Sequence, residues 1–134
     1  MMERKWGQGR SGFFAFEDLD VYGLAVDFAA SIYELSAVFP DAERFGLTSQ
    51  IRRASTSVAL NIAEGRGRGT DPDFARFLWQ ARGSVFECVS AVHLARRLTF
   101  LAADDGTDVL EQAHVLSSKL TALIHRLTPP RRPA

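Results

Sequence analysis

Residues 72–102 read PDFARFLWQARGSVFECVSAVHLARRLTFLA, and this stretch decides the fold class. Phe74, Phe77, Leu78, Ala81, Val85, Cys88, Val92 and Ala95 recur at the three- and four-residue spacing that puts side chains on one face of a helix. No period-two alternation competes with that pattern, so a long helix from about Pro72 to Ala102 is expected. Its start is marked by Thr70 or Asp71 as a cap, Pro72 near the first helical position and Asp73 opposing the helix dipole. Trp79, Phe86, His93 and Phe100 repeat every seven residues on a second face. That is more apolar surface than one bundle needs, and such patches commonly mark interfaces.

Three more helices surround this one. Upstream, Leu47, Ile51, Ala54, Val58 and Ile62 give the core face of a helix from about Leu47 to Arg66. The glycines at 65, 67 and 69 are expected to end it through a left-handed turn. The first helix runs from about Glu17 to Val38 and is stopped by Pro40. It has two apolar seams on opposite sides. One is Leu19, Tyr22, Val26, Ala29 and Tyr33; the other is Val21, Ala25, Phe28, Ile32 and Leu35. Asp20, Asp27 and Glu34 form an acidic stripe between them. A helix apolar on two sides is buried on two sides, and in so small a domain the second implies a helix of another subunit. Past the turn at Asp104, Asp105 and Gly106, the last helix spans about Thr107 to Leu127, with Val109, Ala113, Leu116, Leu120, Leu123 and Leu127 inward. Short connections favour antiparallel neighbours. The expected fold is therefore all-α, an up-down antiparallel four-helix bundle assembling into a homo-oligomeric ring. Residues 1–15 are expected to form a loose arm, residues 16–127 the bundle, and residues 128–134, with three prolines and two arginines, a tail that cannot continue a helix.

At 134 residues there is room for one core, and 46% hydrophobic with 24% charged residues is the balance of a folded domain rather than a disordered one. Sixteen basic residues cancel sixteen acidic ones, which removes any global attraction to polyanions. The signs are nevertheless segregated. Phe16 to Phe39 holds five acidic residues and no Lys or Arg, whereas Arg44 to Arg97 holds nine arginines and four acidic residues. A polyanion site would lie on the middle of the chain, with Arg52, Arg53, Arg66, Arg68 and Arg76 as its candidates for binding RNA or DNA. The single Cys88 excludes an internal disulfide, no stretch approaches the roughly 20 apolar residues of a membrane span, and glycines interrupt the N-terminus where a signal peptide needs an apolar run. A cytoplasmic protein without a membrane partner is expected.

Catalytic constellations are hard to find. His93, His114 and His125 have no pair at helical i, i+3 or i, i+4 spacing. Glu111 and His114 form one Glu-x-x-His pair, but a di-metal bundle needs a second such pair and two further glutamates. Gly65-Arg66-Gly67-Arg68-Gly69 follows a helix and lacks the Gly-Lys-Ser/Thr ending of a phosphate loop. No enzyme activity, metal or cofactor is expected. The most informative feature is polar. Gln50, Ser57, Asn61 and Glu64 fall within about 60° on a helical wheel, with Arg53 beside them, next to the core face. Polar groups at a core edge need hydrogen-bond partners. The stripe reads either as a network fixing register or joining subunits, or as a ligand- or nucleic-acid-binding surface. Arg82, Gly83, Ser84 and Glu87 repeat the theme on the third helix, where Gly83 costs about 1 kcal/mol relative to Ala and invites close approach of another helix.

Leu47-Thr48-Ser49-Gln50-Ile51-Arg52-Arg53-Ala54, then Ser57, then Asn61-Ile62-Ala63-Glu64-Gly65, resembles the signature of a bacterial four-helix-bundle family that includes proteins encoded by intervening sequences in 23S ribosomal RNA genes. Phe16-Glu17-Asp18-Leu19 with Tyr22, Phe39-Pro40, Phe74, Phe77-Leu78, Ala81-Arg82-Gly83-Ser84 and Glu87 extend the likeness over about residues 16–127. The resemblance implies a homopentameric ring. It is similar, too, to the accessory protein of diversity-generating retroelements, a pentamer that associates with a reverse transcriptase and nucleic acid. The expected function is a non-enzymatic homo-oligomeric scaffold, with a nucleic-acid or ribonucleoprotein accessory role as the alternative. Gln50, Arg53, Ser57, Asn61, Glu64, Arg82 and Glu87 are the candidate interface or polar-network residues.

Overall fold

The structure, a computed structural model, describes residues 12–129. Four α-helices account for most of them: α1 (Asp20–Ser36), α2 (Leu47–Arg66), α3 (Asp71–Arg97) and α4 (Thr107–Leu127). Short 3-10 turns at Ala15–Asp18 and Asp41–Glu43 precede α1 and α2, and no strand occurs among the described residues. Each helix packs on its two neighbours in the order α1, α2, α3, α4 and back to α1, with the diagonal pairs farther apart. Side-chain contacts fix the directions. Ile51 pairs with Cys88 and Ser57 with Ser84 across α2–α3, while Ser31 pairs with Gln112 and Asp20 with Lys119 across α1–α4. Numbers rise on one helix as they fall on the next, as antiparallel packing requires.

The core follows the periodic faces. Phe28 and Ile32 of α1, Ile51, Val58 and Ile62 of α2, Leu78 and Val85 of α3, and Leu116, Leu120 and Ile124 of α4 are shut off from solvent. Ile124, not its neighbour Leu123, holds the innermost position near the end of α4. The two seams of α1 are unequal. Val21, Ala25, Phe28 and Ile32 are buried, whereas Tyr22, Val26 and Ala29 are half-covered and Tyr33 is exposed.

Three local expectations are corrected. First, α1 starts at Asp20 rather than Glu17, because Leu19 is extended, and it ends at Ser36 rather than Val38. The preceding turn is closed instead by Glu17, whose carboxylate accepts the Phe14 N–H at 3.0 Å. Second, α3 stops at Arg97, short of Ala102. Thr99 takes a left-handed φ of 63°, its N–H reaches the Arg96 carbonyl, and the Phe100 N–H reaches the Ala95 carbonyl at 2.8 Å. Those two bonds make a Schellman stop, normally built on glycine. Threonine holds that conformation at a cost of roughly 1–2 kcal/mol, and the turn delivers Phe100 against Phe39, ring centroids 6.1 Å apart. Third, no glycine at the end of α2 is left-handed. Gly65 serves close packing: a Cβ there would fall 2.5 Å from Phe77 Cβ. The cap of α3 is Thr70, whose hydroxyl accepts the Asp73 N–H. Among the described residues no helix is long and apolar enough to cross a membrane. Most of the expected arm and tail lies outside the described residues.

Candidate functional site

Antiparallel packing of α2 on α3 opens a shallow groove along the outer edge of their contact. It has a volume of about 600 Å³ and is lined by Phe45, Gly46, Ser49, Gln50, Arg53, Ala54, Ser57, Ser84 and Glu87. Four of the predicted polar residues therefore meet in one place: Gln50, Arg53 and Ser57 from α2, and Glu87 from α3. At the groove's inner wall Ser57 and Ser84 share a hydrogen bond, and Ser57 Oγ also lies 2.8 Å from the Ala54 carbonyl. Each hydroxyl has one proton, so Ser57 donates to the carbonyl and accepts from Ser84. Asn61 donates to the Ser57 carbonyl at 2.8 Å, one turn back. The half-buried part of the stripe is thus satisfied within the subunit. Toward solvent, the side chains of Gln50, Arg53 and Glu87 are exposed and make no hydrogen bond or ion pair among the described residues. Glu64 sits beyond the groove, exposed, in an ion pair with Arg68 at 3.0 Å. Such a pair contributes at most about 1 kcal/mol.

Arg82 is not brought to this groove. It lies on the outward side of α3, where its guanidinium carbon stands 4.5 Å from the centre of the Phe86 ring and 5.4 Å from that of Trp79. Its Nε is buried without an acceptor. This cation–aromatic stack, with rings at i−3 and i+4, was legible in the sequence as Trp79-x-x-Arg82-x-x-x-Phe86. Trp79 and Phe86 stay 47% and 46% exposed, a large share for rings of this size. Between them, a Cβ on Gly83 would meet nothing within 4 Å, so no helix of the same chain approaches it. Ser84 and Phe45 are groove residues that the sequence stripe left out, since neither falls on the α2 face that defined it.

The five arginines considered for nucleic acid separate into different environments. Arg52 is turned inward across α1–α2: its Nε donates to Ser36 Oγ at 2.8 Å, its Nη2 to the Tyr33 carbonyl, and its guanidinium covers the Tyr33 ring. Arg68 and Arg76 lie over the Phe77 ring, at 4.9 and 5.0 Å, and each has a carboxylate neighbour, Glu64 and Asp73 respectively. Arg66 is exposed near the same turn, and Arg53 is at the groove.

Cys88 is buried in the α2–α3 interface, with Sγ 3.8 Å from the Ile51 carbonyl. Burial, and secondarily the charge of Glu87, push its thiol up to about 12. The native thiol is expected to resist alkylation at pH 8 and to react with one equivalent of reagent only in denaturant; rapid labelling of the native protein would contradict this. Linkage gives the sign of the pH dependence. The unfolded thiol ionises from its ordinary value of 9.0, so between there and about 12 the unfolded state binds fewer protons than the folded one. The Cys88 contribution to stability is complete below pH 9 and is lost as pH rises toward 12. Glu111 and His114 are exposed on α4, and among the described residues no three His, Cys, Asp or Glu side chains are placed to hold a metal.

The fold compares well with a solved structure, a protein of unknown function from the S23 ribosomal protein family of Bacteroides thetaiotaomicron VPI-5482. The two align with a TM-score of 0.72 and 22% identity over 78% of this chain and 98% of that one. At that identity the likeness establishes the fold alone. No match was found among curated proteins. The family model for the 23S rRNA-intervening sequence protein matches residues 17–122, a span running from the turn before α1 into α4. With the α2 signature in place and the four helices packed in order, the chain belongs to the 23S rRNA-intervening sequence protein family.

Proposed function

We propose that this protein is a non-enzymatic scaffold of the cytoplasm, a homo-oligomeric, pentameric ring of four-helix bundles. The observation that carries the reading is the outward face of α3. Two large aromatic rings remain half-exposed there, and the glycine between them has no packing role inside its own subunit. A mid-helix glycine costs about 1 kcal/mol against alanine, and exposed aromatics on a helix face are what an interface core is made of. The count of five follows the family resemblance. Light scattering of the purified protein tests the reading: a mass near five times 14.8 kDa is expected, and a concentration-independent monomer excludes it.

A second reading is a nucleic-acid-binding or reverse-transcriptase accessory role. It is favoured by Arg68 and Arg76 lying over Phe77 at the α2–α3 turn, with the exposed Arg66 at the end of α2 and Arg53 farther back along it. Arg52 is committed to α1 and contributes to packing in either case. This reading requires RNA or DNA binding that weakens steeply with salt. Absence of any gel shift at low ionic strength excludes it.

A further inference from the structure

The bundle carries a second unpartnered surface, on the other side of α4 from the α3 face. Between α1 and α4 runs a groove of about 470 Å³ lined by Leu24, Asp27, Asp108, Glu111, Gln112 and Val115. Its apolar part is Leu24 and the exposed Val115; its rim is three carboxylates. The carboxylates of Asp27, Asp108 and Glu111 make no hydrogen bond or ion pair among the described residues. No Lys or Arg lines this stretch, and α1 has none at all.

The α3 face is its chemical complement. It offers two aromatic rings and, between them, a guanidinium whose Nε is buried without an acceptor. That Nε is already shut off from solvent by its own subunit, so the part of Arg82 a neighbour can reach is the terminal Nη pair, which makes no hydrogen bond or ion pair among the described residues and suits a carboxylate. We infer that, in the assembly proposed above and resting on that reading, Trp79, Arg82 and Phe86 of one copy seat in the α1–α4 groove of the next, with Arg82 held by the Asp27, Asp108 and Glu111 rim.

The pairing joins two different surfaces, so it is head-to-tail, and repetition of one such contact produces a closed ring or an open filament. Pairing α3 with a second α3 about a two-fold axis instead brings like charge toward like charge around Arg82 and leaves the acidic groove empty.

Two single variants of the full chain test this by sedimentation velocity. Phe86→Glu spoils the α3 face, and Val115→Glu spoils the groove; both positions are nearly half-exposed, so neither substitution enters the core. Each variant alone is expected to fall to the 14.8 kDa monomer. Mixed in equal amounts, they retain one good face and one good groove between them, and a species of twice the monomer mass is expected. A mixture that stays monomeric overturns the pairing. So does a Val115→Glu variant that assembles normally while Phe86→Glu does not, since the α3 face would then dock elsewhere. If Phe86→Glu itself keeps the wild-type mass, the pairing fails while the scaffold reading stands. A monomeric wild type removes both. Should either variant lose its helical circular-dichroism signal, Arg82→Glu or Glu111→Lys replaces it, with the same masses expected.

Discussion

Gly65→Leu is expected to leave the bundle unable to fold stably. Gly65 is buried where α2 crosses α3, and a Cβ added there lands 2.5 Å from Phe77 Cβ and 3.1 Å from Phe74 Cδ1. Phe77 Cβ is fixed to its backbone and cannot swing aside, so the two helices have to separate. One extra methyl in a packed core costs about 1–3 kcal/mol, against about 1 kcal/mol of helix propensity gained on leaving glycine. Gly65→Ala is thus expected to be destabilised by up to about 2 kcal/mol. Leucine brings three more carbons into the same space and pries apart the most extensive helix contact in the molecule. Set against a domain stability of about 5–15 kcal/mol, that removes most of the margin. Thermal melts of the two variants check the order. A Gly65→Leu protein that melts with the wild type would show that α2 and α3 do not cross this closely.

Phe28→Ala is expected to cost about 3–5 kcal/mol, the typical penalty for emptying a fully buried aromatic site. Phe28 has no solvent exposure and stands in the inner seam of α1, within the single core cluster that all four helices share. The loss combines hydrophobic transfer with a cavity that four antiparallel helices, each held by two neighbours, can close only in part. Urea unfolding is the appropriate measurement: the midpoint should move down with the slope unchanged. Phe86→Ala is the informative contrast. Its ring is 46% exposed and lies on the outward side of α3, so the fold should lose little while assembly is lost. A Phe28→Ala midpoint equal to that of Phe86→Ala would refute the division between the core and the outward face of α3.

These contrasts show how far residue pattern reaches. The helices, their order and nearly all of their core faces were legible because helical periodicity is a local property: residues at i, i+3 and i+4 share a face whatever lies opposite. The boundaries were less so. Thr99 ends α3 in a left-handed conformation that composition would assign to glycine, and only the docking of Phe100 on Phe39 makes that strain tolerable. The polar stripe was legible on α2 and Ser84 on α3, but the bond that pairs Ser57 with Ser84 was not, since a hydrogen bond between helices depends on their register. Arg52 and Arg53 are adjacent and chemically identical in the sequence. A 100° step around α2 ties one to Ser36 and Tyr33 and leaves the other at the open groove.

By itself, then, the sequence determined four amphipathic helices, a core stripe on each, excess apolar surface on α1 and α3, and a separation of charge along the chain. Tertiary structure decided which seam of α1 is buried, why Gly65 must be glycine while Gly83 has open space around it, and that Arg82 faces outward with an unanswered donor. The physical reason is one of range. Period and composition act within a few residues of one helix, whereas the choice of which face meets which, and at what register, is made by the summed packing of side chains far apart in sequence.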